Sequence, residues 1–498
     1  MAELKSLARE TAIYGMSSIV GRFLNYLLVP LYTYVMPVES GDYGVVTNVY
    51  AITALLLVLL TYGMETGFFR FANKKDEDPQ RVYSTILISV AVSSVAFLVF
   101  FLPFAEPLSG YFGYAGHPEY LFMMMIVVAL DAFQSIPFAY LRYQKRPWKF
   151  MAVKMYFILF TLAMNVIALM GFPWLQSHFP DLMGWYHVED RVRYIFLINL
   201  IATASQTFWF IPELRGFHYV FDVALWKRLL NYSFPIMILG IAGILNQTID
   251  KIIFPVLFHD PAEAQVQLGI YGAATKVAMI MAMFTQAFRY AYEPFVFGKS
   301  REKDNRPMYA RAMKFFIIFA LLGYLAVVFY LDILKFILPN KGYWVGLKVV
   351  PISMAAEIFI GIYFNLSFWY KLIDETRWGA YFSLIGLVII VTLNVVFVPR
   401  YGYIASAWAG FCGYAVVMVI SYVVGQKKYP IRYDLKGIGI YVALAALLYV
   451  AGEYIHIEDL MWRMLYRTLL LSLFVGYVIH NDLPLSDIPL INKFIKKK

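Results

Sequence analysis

The sequence predicts an all-α polytopic membrane protein of about fourteen transmembrane helices. Three observations carry that expectation. The 498 residues are 61% hydrophobic and only 15% charged, more apolar surface than soluble domains of this size can bury. Apolar windows of about twenty residues, enough to cross about 30 Å of hydrocarbon, recur along the whole chain. The charges between these windows segregate by side.

The first window, 11–35, is too long and too polar for a cleaved leader, and no small-residue cleavage site ends it. The second, 44–69, opens on Tyr43-Gly44 and closes in "GMETGFFRF". Spans three to six are 82–104, 119–141, 150–171 and 194–212. Span seven, 231–258, contains "NQTIDKIIFPV", an acid and a base side by side in an apolar run. Spans eight to twelve are 268–296, 312–338, 346–369, 378–398 and 403–425. Spans thirteen and fourteen, 435–452 and 464–480, lack central charges. The single cysteine, Cys412, lies in an apolar run, so there is no disulfide framework and no cysteine-based metal site.

Alternating the loops from the N-terminus puts "RFANKKDEDPQR", "RYQKRPWK", "LWKR", "GKSREKDNRPMYARAMK", "QKKYPIRYDLK" and the tail "NKFIKKK" on one side. The other side receives "MPVESGD", "EPLSGYFGYAGHPEY", "FHDPAEAQVQ" and "EYIHIEDL", with no Lys or Arg. Its remaining loops carry only Arg191, Arg193, Lys341 and Arg400. This bias places both termini in the cytoplasm. The net charge of +10 then reflects topology and contact with anionic lipid, not nucleic acid. The longest outer loop, 172–193, holds His178, Asp181, His187, Glu189 and Asp190 without a metal-ligand spacing, and reads as a solvated loop. The tail "PLINKFIKKK" alternates apolar and basic residues and reads as lying on the inner leaflet. Tyr and Trp near span ends read as interface anchors.

Marks recur six spans apart. Gly15 and Pro30 match Gly240 and Pro255 at an offset of 225. Tyr43-Gly44 matches Tyr271-Gly272, and Glu65 and Glu293 each follow by 22 residues. Ala129 and Asp131 match Ala355 and Glu357, and Asn165-Val166 matches Asn394-Val395. The expected organisation is therefore a six-helix lobe at 1–215, a second at 216–428, and appended helices 13–14 with the tail at 429–498. Six being even, the lobes are related by a pseudo-two-fold axis along the membrane normal.

This layout resembles the multidrug/oligosaccharidyl-lipid/polysaccharide exporter superfamily, and within it the polysaccharide-synthesis flippase branch. The opening "ARETAIYGMSSIVGRFLNYLLVPLYTYVMPVESGDYGVV" carries the resemblance, with "GMETGFFRF" and "NVVFVPRYGYIASAWAGFCGY". It covers essentially the whole chain. It implies a central cavity lined by spans one, two, seven and eight, and alternating access. It implies a flippase moving an undecaprenyl-pyrophosphate-linked oligosaccharide from the cytoplasmic to the periplasmic leaflet, for O-antigen or capsule synthesis. The implied setting is the bacterial inner membrane. By the same resemblance, spans thirteen and fourteen border a groove for the lipid tail. Sealing a lobe is the alternative.

Charge inside a membrane costs about 2.5–3.5 kcal/mol at mid-bilayer, so each instance is a functional candidate. Arg22, Lys251, Lys276 and Arg289 are expected to bind substrate phosphate in a cationic cavity, with Asn25, Tyr26 and Asp250 as its polar lining. Asp250 compensates Lys251 when the site is empty. Packing between helices is the competing role for Arg22, snorkelling for Lys276, and an i, i+4 pair with Glu293 for Arg289. Glu65 and Glu293 are gate candidates, with Glu65–Arg289 as the expected pair. Asp131 and Glu357 are structural or carry a coupling H+ or Na+.

Two other functions compete. A multidrug or cation antiporter of the same superfamily fits twelve spans and cationic cargo better than fourteen spans and cavity cations. A membrane polymerase or glycosyltransferase needs a sizeable catalytic loop, and none is present. No phosphate-cradling glycine loop appears, so neither an enzyme nor a cofactor is expected. The expected partners are the lipid-linked oligosaccharide and membrane lipids, around a monomer.

Overall fold

The computed structural model describes residues 26–215, 218–299 and 305–482. Among the described residues all regular structure is helical. Thirteen helices are long and apolar enough to cross a membrane. They match spans two to fourteen of the sequence one for one. The first span lies largely outside the described residues, and its end is α1 (Leu28–Val35). There follow α2 (Asp42–Ala72), α3 (Pro79–Tyr111), α4 (Pro118–Tyr143), α5 (Pro147–His178), α6 (Val188–Leu214) and α7 (Val223–Leu257). Then come α8 (Pro261–Lys299), α9 (Arg306–Phe329), α10 (Lys341–Leu372), α11 (Arg377–Tyr401), α12 (Tyr403–Lys428), α13 (Leu435–Tyr454) and α14 (Leu460–Asn481).

Helix starts follow local chemistry. Asp78, Asp222, Asp434 and Asp459 cap α3, α7, α13 and α14 by accepting backbone N–H bonds that a first turn leaves unpaired. Proline opens α3, α4, α5 and α9, where a missing N–H costs nothing. The N–H of Leu225 and the Arg81 charge hold the Asp222 carboxyl below its ordinary range. α2 breaks once, at Tyr62 (φ 32°) and Gly63 (φ 73°). The glycine suits that left-handed backbone. It also lets α2 meet α7, because a Cβ there would stand 2.8 Å from the Ser233 carbonyl.

The described chain forms two compact units. One comprises residues 26–276, 338–346 and 379–409, and the other 277–337, 347–378 and 410–482. They interleave along the sequence, so they are units of contact and not contiguous halves.

In the first unit α2 runs antiparallel along α7. The pairs are Asn48 with Lys251 and Ile252, Val58 with Gly240, and Gly67 with Ser233. α4 packs against α2, α3 and α6, and is the best buried of these helices. Gln134 of α4 donates to the Thr203 carbonyl (2.8 Å) and the Thr207 hydroxyl (2.8 Å). Asn165 and Asn394, matched in the sequence, are both fully buried and make the same bonds. Each donates to the carbonyl four residues back, at 2.7 and 2.8 Å. Each accepts a hydroxyl from another helix, Tyr32 (3.0 Å) for Asn165 and Ser406 (2.7 Å) for Asn394. Helices in lipid gain little from apolar attraction, so such buried polar pairs and close packing hold them together.

In the second unit α9, α13 and α14 form a block. Leu325, Phe329, Tyr441, Leu448 and Phe474 interdigitate at its centre. At one end the Lys314 ammonium meets Asp434 (2.9 Å) and Asp482 (2.6 Å), and Tyr441 donates to Asp482 (2.7 Å). At the other, Asp332 forms ion pairs with Arg463 (3.0 Å) and Arg467 (3.1 Å). Arg467 also donates to the Phe329 carbonyl (3.1 Å) and to Glu453 (3.1 Å). The appended pair is thus fastened to α9 at both ends. Its outward side chains, Leu447, Leu469 and Leu473, are exposed and suit lipid.

Candidate functional site

The repeated Tyr-Gly segments come together in the first unit, on the side of the acidic loops. Each is a Tyr-Gly-x-x-Thr, at 43–47 in α2 and 271–275 in α8. Each threonine folds its hydroxyl back onto its own helix, Thr47 to the Tyr43 carbonyl (2.7 Å) and Thr275 to the Gly272 carbonyl (2.9 Å). With side-chain oxygens turned inward, the glycines define the contact. A Cβ at Gly44 would lie 1.9 Å from the Gln265 carbonyl oxygen, and one at Gly272 would lie 2.4 Å from the Thr47 hydroxyl. Only glycine permits this approach. Aromatic and amide groups close the rim. Tyr43 meets Tyr343 edge to face at 5.9 Å. Tyr343 donates to the Met36 carbonyl (3.1 Å) and Gln265 to the Phe112 carbonyl (2.8 Å).

Beside this contact lies the acid–base pair of span seven. The Lys251 ammonium donates to both Asp250 oxygens (3.1 and 3.0 Å) and to the Gln247 carbonyl (3.3 Å). Asp250 also accepts the Tyr271 hydroxyl (2.7 Å). Asn48 donates to the Lys251 carbonyl (2.7 Å), and its oxygen accepts the Tyr114 hydroxyl (3.4 Å). One polar network therefore ties α2, α7 and α8. Removing one partner from such a partly buried pair leaves an uncompensated charge, at a cost of about 3–5 kcal/mol. Lys276, half-buried on α8, is close enough to Lys251 to feel its charge. It stands 228 residues after Asn48, the same offset as Tyr271 from Tyr43, and is a cation where Asn48 is an amide.

Of the other candidates, Arg22 and Asn25 lie outside the described residues, as does the side chain of Glu293. Tyr26 is half-buried, and its hydroxyl has no partner among the described residues. Glu65 has a partner within the first unit. It pairs with Arg142 at the end of α4, whose guanidinium also covers the Phe69 ring. Arg289 lies on α8 with its guanidinium 4.9 Å from the Phe364 ring centre. Asp131, half-buried on α4, interacts with the Lys154 charge on α5. Glu357 is half-buried on α10. In the 172–193 loop the His178 ring stacks on Trp174 (4.4 Å). Among the described residues no three His, Cys, Asp or Glu gather as metal ligands.

Sequence reasoning passed over Asn48, Tyr271, Arg142 and Gln265. Tyr271 carried a usable signal, since it belongs to a segment that repeats. Asn48 carried one too, as an amide inside an apolar span. Arg142 and Gln265 sit near span ends, where polar residues need no special reason.

Thirteen membrane-length helices among the described residues, with a polar network tying α2, α7 and α8, define a multi-pass helical membrane protein. Solved structures share this fold. The chain superposes on "Lipid II flippase MurJ, inward closed conformation" with a TM-score of 0.72 at 14% identity, covering 94% of this chain and 99% of that one. It superposes on an inward-facing multidrug resistance MATE family transporter with a TM-score of 0.62 at 13% identity, covering 84% and 94%. The family description "Polysaccharide biosynthesis protein" matches residues 7–291, and the chain belongs to that family. A relative in Haemophilus influenzae, "Lsg locus putative protein 1", is 21% identical over 418 residues, covering 80% of this chain and 94% of that protein.

Proposed function

We propose that this protein flips an undecaprenyl-pyrophosphate-linked oligosaccharide from the cytoplasmic to the periplasmic leaflet of a bacterial inner membrane, for O-antigen or capsule synthesis. The observation that carries this reading is membership of a polysaccharide biosynthesis family on an exporter fold. The pyrophosphate would be met by Arg22, Lys251, Lys276 and Arg289, with Asn25, Tyr26 and Asp250 nearby. Lys251 is held by Asp250 in the present state. On this reading it exchanges that carboxylate for phosphate when cargo arrives, and the pair re-forms on release.

The two six-helix halves, 1–215 and 216–428, would alternate access about the Tyr-Gly contact, with both termini cytoplasmic and 429–498 outside the repeat. Glu65, Glu293, Asp131 and Glu357 are the gate or coupling candidates, and a coupling ion such as H+ or Na+ would supply direction. The working unit is a monomer without cofactor or catalysis.

Depletion of the protein tests the reading. Labelled lipid-linked sugar should accumulate on the cytoplasmic leaflet. Build-up on the outer leaflet, or none, would rule flipping out. Rescue of drug efflux instead would move the protein to the antiporter class.

A further inference from the structure

The two proposed halves meet at residue 215. A tether between moving bodies runs free over the surface, with its backbone bonded to water. The described residues past that boundary do otherwise. Residues 218–222 are extended, in neither helix nor strand. Val220 and Asp222 fasten them to α3. The Val220 N–H donates to the Ser84 hydroxyl (2.8 Å), and that hydroxyl donates in turn to the Val220 carbonyl (3.0 Å). The Asp222 N–H donates to the Thr85 hydroxyl (3.3 Å). Ser84 and Thr85 are both fully buried. A side chain that takes and returns a backbone bond stands in for the neighbouring strand an extended segment otherwise needs.

The attachment continues on either side. Upstream, Tyr83 donates to the Glu213 carbonyl (3.0 Å). The buried Glu213 carboxylate accepts from Lys149 (2.7 and 2.6 Å) and Arg146 (3.2 Å). Downstream, Asp222 pairs with Arg81, the Trp226 indole donates to the Ser89 hydroxyl (2.8 Å), and Arg228 pairs with Glu77. Arg81, Ser84, Thr85 and Ser89 are three or four residues apart on α3, so they share one face. α2 takes the next turns of α7. Leu225 and Leu229 are fully buried, a Cβ at Gly67 would stand 2.8 Å from the Ser233 hydroxyl, and Arg70 lies over the Tyr232 ring at 4.1 Å. All of these residues belong to the first compact unit. Detaching the stretch breaks these bonds together, and linked bonds resist more than their members do singly.

We propose that residues 218–233 form a strap that stays docked on α2 and α3 through the transport cycle, so that the first moving body extends past the repeat boundary and the linker is not the hinge. The inference rests on the alternating-access reading for the existence of two moving bodies.

The test uses the full-length protein with Cys412→Ala, which removes its single thiol. Arg81→Cys with Asp222→Cys is joined in cells by a short, membrane-permeant bifunctional thiol reagent, and surface polymer is measured before joining, after it and after reduction. Polymer should stay at its unjoined level. If that variant does not fold, Ser89→Cys with Trp226→Cys serves instead, with the same expectation. A comparison pair across the Tyr-Gly contact, Thr47→Cys with Thr275→Cys, should abolish polymer until it is reduced. Polymer lost on joining 81 to 222 and regained on reduction overturns the strap. Polymer retained with 47 joined to 275 overturns alternation about the Tyr-Gly contact and leaves the strap standing. Spin labels at 81 and 222 in nanodiscs read the strap without any transport. One narrow distance distribution, with and without an isoprenyl-pyrophosphate-linked sugar, supports it, and a second population overturns it. Ser84→Ala should raise proteolysis at 218–222 about fivefold, as the loss of a bond or two implies. Unchanged cleavage would show the segment already free and overturn the strap as well.

Discussion

The Tyr-Gly contact of α2 with α8 and the α9–α13–α14 block join helices in opposite ways. At the first, Gly44 meets the backbone of Gln265 and Gly272 meets the small side chain of Thr47. At the second, Phe329, Tyr441 and Phe474 interlock, with a charged cluster at either end. Interlocked rings and paired charges must be unpacked and left unsolvated in lipid before they part. Glycine faces give up only dispersion contacts and leave no orphaned charge. The first joint suits a contact that opens and closes, the second one that persists.

Five experiments would break or sharpen that contrast. The largest effect is expected from Gly44→Val and Gly272→Val. Each side chain would enter space already filled by Gln265 or Thr47, so surface polysaccharide should be lost although the protein still inserts. Staining for the polymer, with membrane-fraction blots as control, reads this directly. Wild-type polymer levels would mean the approach is incidental.

Next in size are Asp250→Asn and Lys251→Met. Either alone should destabilise by about 3–5 kcal/mol in thermal unfolding, and the double variant should recover part of that loss. Additive losses would show that the pair is not coupled. A third test moves to Glu65. Glu65→Arg and Arg142→Glu should each reduce transport, and the exchange of both should restore it. Failure of the exchange would return attention to Arg289.

The smallest effects belong to the block. Asp332→Asn should cost about 1–3 kcal/mol and speed proteolysis of the α13–α14 connection, while transport at permissive temperature survives. The acid dependence of the opposite clamp has a definite sign. The N–H of Gly437 and the Lys314 ammonium hold the Asp434 carboxyl below its ordinary range. Its contribution is therefore present above the unfolded value, about pH 4, and is lost as pH falls through the lower folded value. Lys314→Met should flatten stability there, as a pH series of melting curves will show.

Much of the architecture was legible beforehand. Thirteen of the expected spans appear in order, because about twenty apolar residues in lipid have no alternative to a helix. Of the paired marks in the sequence, Asn165 and Asn394 make matching bonds. Asp250 was named as the partner of Lys251, but Tyr271 as a further donor and Arg142 as the partner of Glu65 were not. A residue's own helix can be read from spacing. The side chain that reaches it from 77 positions away, as Arg142 reaches Glu65, cannot.

Sequence settled that the chain forms membrane-length helices in this order and that charges would lie among them, since hydrophobic length acts segment by segment. It did not contain which helix receives α13 and α14, how near Gly44 comes to Gln265, or which acid holds which base. Those outcomes depend on shapes meeting across the bundle at distances of a few ångströms. There one methyl group or one rotamer changes the partner, and no local pattern records it.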